Sequence, residues 1–274
     1  METRRIKRSE RRRMLNEGID INHKTHEVSY NPNHENNVET SLDTNPTVDN
    51  TLIPGVEVWS IFRRKDGDWG DGNPLIYALK GEHNWHFRTY SDKLAVDVRF
   101  SEIAEKFVHR HPFDVTVVVP SSNDLNRRIT DVILHKSNNA KLLTGFIRKM
   151  RIEEADYIVS NDMNCAFRKK YNRDFQNKYS EFCSYLRVME QKCGGYFTRH
   201  YIQNQEMRNV LDFTFKVTKE YDTFAQDING RNILVIDDAI SRGQSVKEVC
   251  DIIRSGYNPK SITVLTLLSK KYKE

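Results

Sequence analysis

Apolar and polar positions alternate along VEVWSIF, Val56 to Phe62, as they do in a half-buried strand, and DGDWGDGNP behind it is a turn cluster. LIYALKG at 75–81 reads as a short second element. The spacing then changes: Phe100, Ile103, Ala104, Phe107 and Val108 recur at helical intervals until Pro112 stops the pattern. DVTVVVP, ending at Pro120, is a continuous β-branched run suited to a strand buried on both faces of a parallel sheet. SSND supplies a loop and a helix N-cap, and LNRRITDVIL follows as an amphipathic helix.

The last third repeats this alternation. NILVID is a buried strand, DAISRGQS a loop, VKEVCDIIRSG a helix ending at Gly256, and SITVLTLL another buried strand. Strands and helices in this order predict right-handed βαβ crossovers and a parallel sheet, the α/β class. Residues from about 136 to 205 mix charged helical stretches with a break at Gly194 and Gly195 and read as an insertion or a cap. Residues 1–53 join a basic opening to a stretch rich in Asn, Thr, His and Asp, which predicts a polar arm or linker.

At 274 residues the chain has room for one sizeable α/β domain with an extension or insertion. Hydrophobic residues at 38% and charged residues at 30% exclude a wholly disordered chain. No run approaches the ~18 apolar residues of a membrane span, so the expected location is cytoplasmic with no membrane partner. Cys165, Cys183, Cys193 and Cys250 lack C-x-x-C spacing and read as reduced thiols. The net charge of +5 is uneven, because Arg4, Arg5, Lys7, Arg8, Arg11, Arg12 and Arg13 sit together. Such a run is either solvated or a contact for phosphates, with nucleic acid or a protein as candidate partner.

The chemistry concentrates at 233–245. Ile233 to Ile236 are apolar, Asp237 and Asp238 follow, and after two spacers Ser241, Arg242, Gly243, Gln244 and Ser245 open a helix. A strand end and a helix N-terminus aim backbone N–H groups at one point, so Ala239, Ile240, Ser241, Arg242, Gly243, Gln244 and Ser245 can cradle a phosphate monoester. Gly243 lets the backbone close in without a Cβ. The two carboxylates can accept from vicinal ribose hydroxyls and help hold Mg²⁺, directly or through water. The plainer reading is a βα turn with an N-cap, or the acidic strand end of another doubly wound fold.

This run resembles the substrate loop of the type I phosphoribosyltransferases, with Ser241 and Ser245 for threonines and Arg242 as a departure. LIYALKG, VVVPSSNDLNRR at 117–128 and RNVLDFTFKV at 208–217 resemble its ComF-like branch. The resemblance implies a parallel-sheet core from about 100 to 270, a hood from 54–99, and a polar N-terminal arm. It implies binding of 5-phosphoribosyl-1-pyrophosphate or a nucleotide with Mg²⁺, and transfer of phosphoribose to or from a nitrogenous base. Asp237 and Asp238 would act in catalysis and metal binding, Ser121, Ser122 and Asn123 with Arg127 or Arg128 would grip pyrophosphate, and Lys80 would be the hood lysine. The chain lacks the paired cysteines that ComF relatives often carry for zinc, and its pyrophosphate loop has no basic residue in the first turn.

Two other classes stay open: a non-catalytic ligand-sensing or DNA-associated module, and an effector that uses the same site and is held in check by a partner. A homo-oligomer is compatible with each. Other features have plainer readings. His83, His86, His109 and His111 read as solvated or capping side chains rather than a metal cluster. Arg168 to Tyr179 interleaves bases and aromatics and reads as a packed stripe under a charged face, with nucleic-acid binding as the sharper alternative. Trp59, Trp69 and Trp85 read as hood packing, with stacking on an acceptor ring as the sharper alternative.

Overall fold

The computed structural model describes residues 17–34, 36–65, 73–137, 139–211, 213–218, 222–240 and 243–269. The basic opening from Arg4 to Arg13, Trp69, Ser241 and Arg242 lie outside the described residues. The strands are β1 (Gly18–Asn22), β2 (Glu27–Asn31), β3 (Val38–Glu39), β4 (Thr47–Ile53), β5 (Val56–Arg64), β6 (His86–Phe87), β7 (Val115–Val118), β8 (Lys141–Leu142), β9 (Ile147–Lys149), β10 (Phe215–Val217), β11 (Asn232–Ala239) and β12 (Ser261–Leu268). The helices are α1 (Asn73–Lys80), α2 (Tyr90–Arg110), α3 (Leu125–Lys136), α4 (Ile152–Asn161), α5 (Ala166–Lys170), α6 (Phe175–Cys193), α7 (Gln205–Val210), α8 (Asp222–Ile228) and α9 (Gln244–Gly256). They form two compact units, the first from described residues of Met1–Leu143, Asp227–Gly243 and Asn258–Glu274, the second from Thr144–Gln226 and Gln244–Tyr257.

The first unit holds a mixed sheet in the order β6-β2-β1-β3-β5-β12-β11-β7-β8, with β4 also paired to β5. From β5 to β8 every neighbouring pair is parallel. Ile233, Leu234, Val235 and Ile236 are at most 1% exposed, which explains why this stretch of β11 is apolar without alternation. Phe62, Leu234, Ile236, Leu265 and Leu267 pack with Leu75 of α1, Ile103 and Phe107 of α2, and Ile129 and Ile133 of α3 in one core. The protein is therefore an α/β fold with a mostly parallel central sheet.

Among the described residues the expected strands and helices form, with four differences, while the turn cluster DGDWGDG at 66–72 lies outside them. Residues 17–53 are not a polar arm: β1 and β3 extend the sheet beyond β5, β4 pairs with β5, and Ile19, Val28 and Val38 are fully buried. Single apolar residues spaced among polar ones escape a periodicity test yet suffice for a short strand buried on one face. The parallel core also starts earlier than residue 100, because β5, expected in the hood, pairs with β12 from Thr263↔Glu57 to Leu268↔Phe62. α2 begins at Tyr90, ten residues before its apolar stripe, because Thr89 caps it by accepting from the Asp92 amide at 3.1 Å. The expected insertion is a unit with its own core, built on Phe167, Phe182, Met189 and Phe197, and α6 ends at Gly194 in the left-handed region.

Candidate functional site

In an open parallel sheet, ligands sit beyond the carboxyl ends of the strands where the connections diverge. Here β7 leads through α3 outward to β8, while β11 leads the other way to β12, and β7 and β11 are neighbours. The crevice between these two strand ends therefore lies beside Asp237 and Asp238 on β11 and the residues after Val118 on β7.

Two side chains from other elements meet the acidic pair. The Lys80 ammonium, at the end of α1, lies 2.6 Å from Asp238 Oδ2, and both side chains are mostly buried. Asn126, in the first turn of α3, donates from Nδ2 to the Val119 carbonyl at 2.8 Å and to Asp237 Oδ1 at 3.1 Å. The Asp238 amide donates to the same Asp237 oxygen at 3.0 Å. Asp237 keeps some exposed surface but is ringed by protein, and this burial, with the charge of Asp238 beside it, pushes its carboxyl up to about 7. The hydrogen bonds and the more distant Lys80 pull the other way without cancelling that rise.

The loop after β7 is partly organised. Asn123 accepts from the Leu125 amide at 3.1 Å and donates to Glu82 at 3.3 Å, while Ser121 and Ser122 are exposed. Arg128 turns to the end of α1, donating to the Leu79 carbonyl at 3.0 Å, and Arg127 is exposed. A cavity of about 390 Å³, walled by apolar side chains including Leu79, Phe100, Leu125 and Ile129, also reaches Arg128.

After β11, Ile240 is buried, its amide bonded to the Leu268 carbonyl at 3.0 Å and its carbonyl accepting from Arg64 Nη2 at 2.9 Å. Gly243 has φ +70, a conformation that favours glycine, and a Cβ there would meet Leu52 Cδ2 of β4 at 2.9 Å, so the Leu52 side chain would have to move. The chain then enters α9 at Gln244 and Ser245.

Paired carboxylates fit a hard divalent cation, which would relieve the repulsion that raises Asp237. Among the described residues no three His, Cys, Asp or Glu side chains converge as a metal cage, so such an ion would complete its shell with ligand and water oxygens. His111 packs on Trp59, with ring centroids 4.2 Å apart, and His83 meets Tyr77 edge-on. Trp85 is buried and stacks on His26. In the second unit Phe167 and Tyr171 are buried, and Arg168 lies over Phe175, the packed arrangement expected of that stretch.

Asn126 and Arg64 were not legible as site residues. An Asn behind SSND had a weak signal, its place in the first turn of a helix after a strand, whereas an Arg ending a strand had none. No protein-family model and no curated protein gives a significant match to this chain. No helix among the described residues is long and apolar enough to cross a membrane.

Proposed function

We propose that the protein is a phosphoribosyltransferase-like enzyme that binds 5-phosphoribosyl-1-pyrophosphate with Mg²⁺ and transfers phosphoribose to or from a nitrogenous base. The observation that carries this reading is the acidic pair at the β7/β11 divergence, gripped by Lys80 and Asn126 and followed directly by the Gly243 loop. In this reading Asp237 and Asp238 accept from the ribose hydroxyls and help hold Mg²⁺. The segment Ala239 to Ser245 takes the 5-phosphate, and the loop from Ser121 to Asn123, backed by Arg127 and Arg128, faces pyrophosphate. Pyrophosphate leaves the ribose C1 as a nitrogen nucleophile arrives. The protein's part is to position both and stabilise charge, and no protein nucleophile is needed. The Mg²⁺ supplies charge neutralisation on the leaving group.

Calorimetric titration with 5-phosphoribosyl-1-pyrophosphate and Mg²⁺ tests this on the wild type and on the Asp237→Ala, Asp238→Ala double variant. Micromolar binding by the wild type, lost in the variant, is expected. A folded wild type that binds nothing would sink the reading and favour the scaffold or DNA-associated class.

A further inference from the structure

The ladder between β7 and β11 stops at the acidic pair for a local reason. Its parallel pairs run from Ile233↔Val115 to Ile236↔Val118, and the Val119 amide adds one more rung by donating to the Ile236 carbonyl at 2.9 Å. In a parallel ladder the next rung would run from the Asp238 amide to the Val119 carbonyl. Here both groups turn elsewhere. The Asp238 amide donates to Asp237 Oδ1 at 3.0 Å, and the Val119 carbonyl accepts from Asn126 Nδ2 at 2.8 Å. The same nitrogen donates to Asp237 Oδ1 at 3.1 Å. Asn126 is 2% exposed, and its own Oδ1 is buried with no partner among the described residues.

We infer that Asn126 is a positioning residue for Asp237: it takes the place of the missing rung and fixes which carboxylate oxygen is left for a ligand. The amide cannot be reversed, because Oδ1 would then stand against two acceptor oxygens, the Val119 carbonyl and Asp237 Oδ1. Leaving a buried acceptor unmet is costly, and an apolar side chain of similar size would fill the space without that cost. The use of Asn126 therefore lies in its two donations. With Asp237 Oδ1 accepting twice and Asp238 Oδ2 held by Lys80 at 2.6 Å, each carboxylate has one oxygen tied and one, Oδ2 of Asp237 and Oδ1 of Asp238, without a partner among the described residues. Two such oxygens on consecutive residues suit two neighbouring hydroxyl donors. The inference rests on the function proposed above, since a ribose hydroxyl is the group that Asp237 would receive.

The test titrates ribose 5-phosphate and its C2 epimer arabinose 5-phosphate, which lacks the cis arrangement of the two hydroxyls, into wild type, Asn126→Ala and Asn126→Ser, with thermal melting of each. The wild type should prefer ribose 5-phosphate on the order of 10-fold. In Asn126→Ala, ribose 5-phosphate affinity should fall on the order of 10-fold while arabinose 5-phosphate changes little, so that the preference shrinks to within about threefold. Asn126→Ser keeps a hydroxyl but not the reach to both acceptors, and it should narrow the preference in the same way even if Asn126→Ala fails to fold. An unchanged preference in a folded variant, whether both sugars keep their affinity or lose it equally, would overturn the inference and leave the proposed function standing. Failure of both variants to fold would also overturn it, by making Asn126 a residue of the fold alone. A wild type that binds neither sugar, or binds both alike, would overturn the proposed function and this inference together.

Discussion

Asp237 sits where two effects push the same way. Burial disfavours its charged form, and Asp238 beside it adds like-charge repulsion, so the folded-state pKa rises to about 7. An unfolded Asp titrates near ~3.9, so the fold binds this proton more tightly than the unfolded chain does. Stability from this group is therefore greatest at low pH and falls as pH climbs from about 4 to about 7. Asp237→Asn removes the charge that the fold resists. In the absence of metal, the melting temperature of the variant relative to wild type should rise by a few degrees between pH 5 and pH 8. That corresponds to on the order of 1 kcal/mol after allowing for partial exposure of the side chain. An unchanged difference at the two pH values would remove the electrostatic account of the site. Gly243 shows conformational need at the same scale: its positive φ strains any residue with a Cβ, which would also press on the Leu52 side chain.

Among the elements, α9 is tied within the second unit by one buried carboxylate. Glu248 accepts from the Thr214 and Phe215 amides through Oε1 and lies 3.3 Å from Arg199 Nη2 through Oε2, both side chains being about nine-tenths buried. Burial pushes its carboxyl up to about 6 despite these partners. Because this pKa is raised, its contribution to stability declines between the unfolded value near ~4.3 and 6. Glu248→Ala would leave the Thr214 and Phe215 amides without their acceptor and take the carboxylate from Arg199, which keeps the Leu211 carbonyl and Gln244 Oε1. Breaking a buried pair this way costs about 3 kcal/mol, on the order of 10 °C in melting temperature. Lys216→Ala, which removes an exposed partner of Glu154, should change stability by under ~1 kcal/mol. Equal effects of the two variants in a melting series would show that burial does not set the difference.

For the whole molecule, the N-terminal strands are structural rather than appended. Ile19, Val28 and Val38 share the core with Phe62 and Leu268, and β3 and β4 cover one side of β5. Burying each of these aliphatic side chains contributes ~1.5–3 kcal/mol, so their loss approaches the ~5–15 kcal/mol that a domain has in total. Removal of residues 1–53 should therefore leave an insoluble or molten chain, read by near-ultraviolet circular dichroism and melting. A truncated chain that melts as cooperatively as the full one would restore the reading of this segment as an arm.

What the sequence determined by itself was local in origin. The β-branched run at 115–119, the apolar run at 233–236 and the helical stripe of 246–253 declare their elements through side-chain spacing, and Asp237 and Asp238 mark the polar end of the strand they close. Tertiary structure decided what depends on partners distant in the chain. Residues 17–53 become strands because β5 offers them an edge, and α2 starts at Tyr90 partly because Asp92, besides meeting the Thr89 cap, accepts from the Tyr30 amide. Asn126 and Arg64 reach the acidic strand only because β7, β11, β12 and β5 lie side by side, which no spacing within the sequence encodes. Periodicity reports whether a residue faces a core, while the identity of its neighbour is fixed by strand order, and strand order is a property of the folded chain.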